Sequence, residues 1–244
     1  SELLELLGGE ALAEQLVDID VDGASPDLDA GRRKIAARAA AELGLIRLTL
    51  AGEAIYQAGK PIVSFDGVEV VLPPNAFLQP TRPAEAAMSA LVGAGVGKAR
   101  RIVELFAGLG TFTFALARTG KVLAVEGDKA LLAALTEAVR AAKGRKAIAT
   151  LKRDLFREPL AGAEFDGFDA AVLDPPRAGA AAQAEALARS NVPRIVMVSC
   201  NPATLARDLR TLIDGGYALC RVVPIDQFLF SPHVEVVAML ERRG

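Results

Sequence analysis

Cysteine and histidine are scarce in this chain: only Cys200, Cys220 and His233 occur. Two thiols make neither a disulfide framework nor a four-thiolate metal site, and one imidazole excludes a multi-histidine centre. No run of about 18 uncharged apolar residues marks a membrane span. No stretch shows the charged, apolar, small-residue order of a secretory leader. A reducing cytoplasm is therefore the expected setting. An excess of charge of one sign is lacking too: 28 Lys and Arg stand against 30 Asp and Glu, for a net charge of −2 and a pI near 5.6. That argues against a protein held to nucleic acid by charge alone. A local basic face at Arg100-Arg101, between Lys143 and Lys152, or at Arg207 and Arg210 stays open, although the ordinary reading of such clusters is solvated surface.

What the chain does have is apolar bulk. Hydrophobic residues make up 52% of 244, enough for one large core, or for one domain with a small attachment. Leu3 to Leu16 has apolar residues at helical spacing, broken at Gly8-Gly9. Leu16 to Val21 alternates apolar and acidic residues like a half-exposed strand, and Gly23 to Asp27 is a turn cluster. Asp29 to Leu43 predicts an amphipathic helix stopped by Gly44. The period then shortens. Ile46–Leu50, Ala54–Gln57, Ile62–Phe65 and Val68–Leu72 read as strands, separated by Gly52, Gly59-Lys60-Pro61 and Asp66-Gly67. Asp-Gly between two apolar runs is a hairpin signal. Residues 1–73 thus read as a small α+β unit with a local antiparallel sheet.

Residues 74–244 have a different grammar. After a helix from about Arg82 to Val92, strands are expected at Ile102–Phe106, Val122–Glu126, Ala147–Leu151, Ala170–Leu173, Ile195–Ser199, Ala218–Ile225 and Val234–Leu240. Helices of about 10–16 residues fit between the earlier ones. Such alternation predicts an α/β fold with a Rossmann-like, doubly wound and mostly parallel sheet. The last two strands are joined by a loop too short for a crossover helix, so one of them should run antiparallel.

Four segments carry chemistry. In Arg194–Leu209 a buried strand stops at Asn201-Pro202, where proline fixes φ and removes an N–H, and Cys200 sits on the break. The carboxyl end of a strand is where open α/β sheets bind ligands, yet a free cysteine is as often a small core residue; placement alone leaves both readings open. Cys220, mid-strand and without such company, reads as core. Glu104–Thr113 is a glycine-bearing turn in which Gly108 and Gly110 allow close approach to the backbone. A third glycine of a dinucleotide fingerprint would fall at Thr113, so that fingerprint is incomplete. Glu126, ending the next strand, is placed to take both hydroxyls of a ribose. Together these point to an adenosine-containing cofactor without a pyrophosphate. Phe168–Gly179 delivers Asp174 to a strand end, where Pro175-Pro176 stiffen the loop before Arg177 and leave carbonyls free to face a ligand. Last, Glu235 precedes an apolar run, an edge where burial can raise a carboxylate's pKa and suit it to act as a base; read alone it is as well an ordinary strand-start acid, and His233 by itself reads as a structural histidine.

Taken together, Phe77-Leu78-Gln79, Glu104-Leu-Phe-Ala-Gly-Leu-Gly110, Val125-Glu126, Asp174-Pro-Pro-Arg177, Val198-Ser-Cys-Asn-Pro-Ala-Thr-Leu-Ala-Arg-Asp208 and His233-Val-Glu235 resemble the S-adenosylmethionine-dependent RNA 5-methyluridine methyltransferases. The resemblance runs from about Pro74 to Leu240. It implies Cys200 as nucleophile and Glu235 as base. It implies Gln79, Phe106, Glu126 and Asp174 as contacts to S-adenosyl-L-methionine, with Gly108 in the cofactor turn. It also implies an RNA substrate, ribosomal or transfer, whose uridine is flipped out of its stack. No metal is implied, and the chain reads as a monomer with no membrane partner. Thr111 stands where the family commonly has asparagine, and Phe230 and Ser231 where it often has histidine and threonine. The family usually carries an N-terminal RNA-binding β-barrel and often an iron–sulfur cysteine cluster. Neither is in this sequence, so a truncated form of a longer enzyme is expected. Two other readings stand beside this one. One is a transferase that methylates an exocyclic nitrogen at an Asp-Pro-Pro loop without a thiol. The other is a cofactor-binding RNA module without turnover. The incomplete glycine fingerprint speaks against a nicotinamide dehydrogenase.

Overall fold

A computed structural model describes residues 18–21, 29–50, 52–227 and 233–243. The expected helix at Leu3–Leu16 and the turn at Gly23–Asp27 lie outside the described residues, as do Phe230 and Ser231. The chain divides into two compact units, residues 1–63 with 71–77, and residues 64–70 with 78–244.

In the first unit, β1 (Asp18–Val21) pairs parallel with β2 (Arg47–Leu50), and β2 pairs antiparallel with β3 (Glu53–Gln57). The helix α1 spans Ala30–Glu42 and is bounded as its sequence dictates. The Asp29 carboxylate accepts from the Arg32 N–H at its start, and Gly44 takes φ +70° just past its end, where a side chain would be strained. The buried guanidinium of Arg47 donates to the carbonyls of Leu72 and Pro73 at 2.8 and 3.1 Å. The expected single antiparallel sheet is thus corrected in two ways. β1 joins it in parallel, and β4 (Ile62–Phe65) and β5 (Val68–Val71) form a separate two-stranded ribbon. Gly59-Lys60-Pro61 interrupts the ladder between β3 and β4. The ribbon turns at Asp66-Gly67 with both φ positive, 51° and 78°, the geometry that suits the right-handed twist of a two-residue hairpin.

The second unit holds a seven-stranded sheet. Its strands in chain order are β6 (Arg101–Leu105), β7 (Lys121–Glu126), β8 (Ile148–Lys152), β9 (Ala170–Leu173), β10 (Arg194–Ser199), β11 (Tyr217–Ile225) and β12 (Glu235–Arg242). Across the sheet the order is β8-β7-β6-β9-β10-β12-β11. Neighbours from β8 to β10 are parallel, and β12 lies antiparallel between β10 and β11. β12 is therefore the expected antiparallel strand. The central strands are largely apolar because both faces are covered: every residue of β9 and all but the first of β10 are buried. Each fully buried Leu, Val or Ile there contributes about 1.5–3 kcal/mol of transfer free energy.

Four α-helices follow the same logic: α2 (Arg82–Val96), α4 (Lys129–Ala141), α5 (Ala181–Ala188) and α6 (Pro202–Asp214), with a one-turn α3 (Thr113–Leu116) between the first two. Thr81, Asp128 and Asn201 cap α2, α4 and α6 with side-chain oxygens. The expected long helices fail at two places. α3 has only four residues, because the glycine turn takes the preceding chain and Thr119-Gly120 end it. Between β8 and β9 there is only a 3-10 turn, Gly162–Phe165, since Pro159, Gly162 and Gly167 break the segment. At the sheet's edge, Cys220 is exposed, which corrects the core reading. The β11–β12 register shifts between Leu219 and Arg221, and Cys220 occupies that irregularity.

Candidate active site

Strand order reverses between β6 and β9, so a crevice opens at their carboxyl ends. The expected site residues gather along this rim. Gly108 follows β6, Glu126 ends β7, Asp174 follows β9 and Cys200 follows β10. Glu235 begins β12, whose antiparallel course brings its amino end to the same edge.

The glycine turn is held by Glu126 itself. One carboxylate oxygen accepts from the Gly108 N–H at 2.8 Å and the other from the Asp128 N–H at 2.7 Å. A carboxylate fixed by two amides keeps further lone pairs to receive hydroxyl donors. Gly108 has φ +55°, and a Cβ built there would meet no atom within 4 Å, so the turn leaves open space beside its backbone. At Gly110 a Cβ would come to 2.6 Å from the Leu135 side chain, and only hydrogen fits. Beneath the turn lies a residue that the sequence reading passed over. Glu104 is 2% exposed and accepts from the Thr113 hydroxyl. Burial above all, with the charges of Asp174 and Glu126, pushes its pKa up to about 8.

Phe106 has φ +61°, a left-handed conformation that costs a bulky residue and marks constrained sites. Its ring packs at 54° and 5.4 Å against Phe156, which is 52% exposed. Phe156 was also missed. The signal was its place in Arg153-Asp154-Leu155-Phe156, directly after a strand end.

The Asp174-Pro-Pro-Arg loop is fastened by the first turns of α6. The Arg177 carbonyl accepts from the Asn201 amide at 3.0 Å and the Thr204 hydroxyl at 3.2 Å. The Ala178 carbonyl accepts from Arg207 at 3.0 Å, and the Ala180 N–H donates to the buried Asp208 carboxylate at 2.6 Å. The Pro176 carbonyl takes the Gly179 N–H. The carbonyls of Pro176, Arg177 and Ala178 are thus engaged within the protein, so these three are not the partnerless carbonyls expected of a double-proline loop. The Asn-Pro-Ala-Thr-Leu-Ala-Arg-Asp segment is instead a set of clasps on the neighbouring loop.

Cys200, Glu235 and Asp174 form one electrostatic group. The β10–β12 register pairs Ser199 with Val236, and its continuation sets Cys200 opposite Glu235. Glu235 is buried, and burial raises its pKa while a hydrogen bond from Gln227 opposes the rise. Burial, then the Glu235 charge, pushes the Asp174 carboxyl up to about 7. The Cys200 thiol is partly buried. Burial and the Glu235 charge raise its pKa, and the Arg177 guanidinium opposes this. Arg177 also meets His233 Nδ1 at 3.3 Å. Gln79 joins the group through Gln227, whose amide donates to the Gln79 carbonyl at 2.8 Å. An open hollow at the opposite edge of the sheet, lined by Val96, Lys98, Arg100, Asp169, Pro193 and Arg194, contains none of these residues.

Known proteins bear on this rim. An uncharacterized RNA methyltransferase of Agrobacterium fabrum is 49% identical over 240 residues, which cover 98% of this chain and 56% of that protein. The 23S rRNA (uracil(1939)-C(5))-methyltransferase RlmD of Aeromonas hydrophila is 37% identical over 196 residues, covering 78% of this chain and 44% of the other. The chain spans about half the length of the curated relatives it matches. Among solved structures, the tRNA (uracil-54, C5)-methyltransferase of Pyrococcus abyssi, in complex with S-adenosyl-L-homocysteine, superposes with a TM-score of 0.67 at 26% identity over 91% of this chain and 55% of that one. The family model described as tRNA (Uracil-5-)-methyltransferase matches residues 67–243, and on that match the chain belongs to the tRNA (uracil-5-)-methyltransferase family.

Proposed function

We propose that the protein transfers a methyl group from S-adenosylmethionine to C5 of a uridine in RNA, through a covalent bond between Cys200 and C6 that Glu235 helps to release. One observation carries this reading. The only cysteine on the rim stands opposite a buried carboxylate on the adjacent antiparallel strand, with Asp174 at the next strand end.

The residue types match the chemical need. C5 of uracil is a weak nucleophile. Addition of the Cys200 thiolate to C6 moves the ring's π electrons toward C5 and O4, which makes C5 carbanion-like. Arg177 favours the thiolate against the neighbouring carboxylates. S-adenosylmethionine, when bound, supplies an electrophilic methyl group. Once C5 carries the methyl, Glu235 removes the C5 proton, the C5–C6 double bond re-forms and the Cys200 sulfur leaves.

The rim fits such a cofactor. The open backbone at Gly108 and the amide-fixed carboxylate of Glu126 suit an adenosine ribose. Phe106, Gln79 and Asp174 complete the proposed contacts. The P. abyssi relative was solved with S-adenosyl-L-homocysteine, which supports the assignment. The substrate is an RNA, ribosomal or transfer, with its target uridine flipped out to reach a partly buried thiol.

Methyl transfer from labelled S-adenosylmethionine to uridine-containing RNA tests the reading in the full-length protein. Cys200→Ala should abolish transfer. Glu235→Gln should cut turnover by at least 100-fold, within the range of lost general-base catalysis, and leave the cysteine–RNA adduct in place. Full activity of Cys200→Ala would overturn the thiol mechanism in favour of transfer to an exocyclic nitrogen. Cofactor binding without turnover on any RNA would favour a non-catalytic module.

A further inference from the structure

Arg177 combines a clasped backbone with an exposed side chain. Its carbonyl accepts from Asn201 at 3.0 Å and from Thr204 at 3.2 Å, which ties the residue to the segment directly after Cys200. Its guanidinium meets Nδ1 of His233 at 3.3 Å, two positions before Glu235. Arg177 follows β9, Cys200 follows β10 and His233 leads into β12, and β10 lies between β9 and β12 in the sheet. The side chain therefore runs from the β9 loop toward β12 past the strand end that carries the thiol. Arginine has five N–H donors and no acceptor, so Nδ1 of His233 accepts and engages one of them. Among the described residues no carboxylate pairs with this guanidinium, although Asp174 and Glu235 stand on the same rim. Arg207, by contrast, is committed to Asp208 and the Ala178 carbonyl. Arg177 thus presents most of a guanidinium fork to the rim, on a backbone that does not move with it.

We propose that Arg177 binds the phosphate on the 5′ side of the target uridine and so sets C6 over the Cys200 sulfur. This rests on the reading of Cys200 as nucleophile given above. The bonding within a uridine links the two positions. C6 is bonded to N1, which carries the ribose, and in the anti conformation the 5′ oxygen and its phosphate lie on the C6 side of the base. A cation beside a thiol that attacks C6 is therefore within reach of that phosphate. The rim also needs one, because Glu126, Asp174 and Glu235 give it acids that repel a polyanion. A guanidinium takes phosphate oxygens through two parallel N–H bonds, and such contacts fix the register of a nucleic acid rather than its sequence. His233 holds one corner of the fork and leaves the others to the ligand.

The test joins a change in the protein to a change in the RNA. The full-length protein is assayed on a short synthetic RNA bearing its mapped methylation site, with the phosphate 5′ to that uridine either natural or replaced by an uncharged methylphosphonate. For the wild type the neutral linkage should lower kcat/KM about 10- to 100-fold, the range of a hydrogen bond to a charged group. Arg177→Met should show a comparable loss on natural RNA and little further loss on the methylphosphonate. Arg177→Lys, which keeps the charge without the fork, should fall between. A methylphosphonate one linkage to the 3′ side should cost the wild type much less. A wild type indifferent to the 5′ substitution, an equal loss at both linkages, or a full methylphosphonate penalty retained in Arg177→Met would each overturn the assignment. The wild-type comparison decides even if a variant fails to fold. Trapping with 5-fluorouridine RNA separates this proposal from the mechanism it rests on. If the wild type forms no adduct on Cys200, the thiol mechanism falls. If it forms the adduct and tolerates the neutral 5′ linkage, only the phosphate role of Arg177 falls.

Discussion

At the scale of single residues, the site is a collection of carboxyls that the fold keeps from being ordinary. Glu104 shows the consequence. Its folded pKa is raised from 4.5 to about 8, first by burial, so the folded state holds its proton more tightly than the unfolded chain does. The stabilisation from that proton is fully present below about pH 4.5 and is lost as pH rises through about 8. Asp174, raised from 3.8 to about 7, acts in the same direction. The thermal midpoint should therefore fall between about pH 5 and 8, and Glu104→Gln should flatten the upper part of that fall. Melting curves across that range check it, and an unchanged slope in the variant would remove Glu104 as the cause. Residues of this kind are the hardest to read from sequence. Cys200, Glu126 and Glu235 stood at strand ends, where position together with the neighbouring motifs marks them as candidates. Glu104 lies inside a strand, and only its neighbours in space make it unusual. Gln227, which the rim buries, carried no signal, because its hydrogen-bond partner Gln79 lies 148 positions away in sequence. Cys220 misled for the converse reason: an apolar strand reads as buried whether it is central or at the edge, and β11 is at the edge.

Among elements, the joint between the β9 loop and α6 decides the geometry of the rim. Asn201, Thr204, Arg207 and Asp208 each bind the segment 177–180, and Arg207 pairs with Asp208 at 2.8 Å. Cys200 and Asp174 are thus set by one rigid unit rather than by two independent loops. Asp208→Ala would leave the buried Ala180 N–H without an acceptor and should cost about 1–3 kcal/mol of stability, with Asp208→Asn recovering part of it. Methyl transfer should fall in parallel, because the Asp174 loop loosens. Denaturant unfolding beside turnover measures both, and a stable but inactive variant would give Asp208 a more direct role. The strands and capped helices were legible in outline, because periodicity, Pro202 after Asn201 and the glycine past α1 are local signals. The long helices expected beside β6 and β8 were not: interior glycines and prolines removed them, and the covering of the sheet there depends on packing that a periodicity reading does not contain. The clasp pattern was visible as a motif, but its meaning was not, since carbonyl acceptors leave no trace in residue identity.

For the whole molecule, the central point is topological. Reversal of strand order between β6 and β9, with β12 inserted antiparallel beside β10, brings residues from five strand ends to one edge. Alternation of apolar runs announced the parallel sheet, and the short β11–β12 connection announced one antiparallel strand. The insertion of β12 between β10 and β11 is a pairing decision that no single segment encodes, and it is what sets Glu235 opposite Cys200. The claim that follows is that these two residues share one reaction. It is tested most directly by incubating the full-length protein with S-adenosylmethionine and 5-fluorouridine-containing RNA, digesting the product and mapping the nucleotide adduct by mass spectrometry. A methylated fluorouridine on the peptide bearing Cys200 is predicted, with none on the exposed Cys220. An adduct on Cys220, or methylated RNA with no adduct on Cys200, would contradict the account.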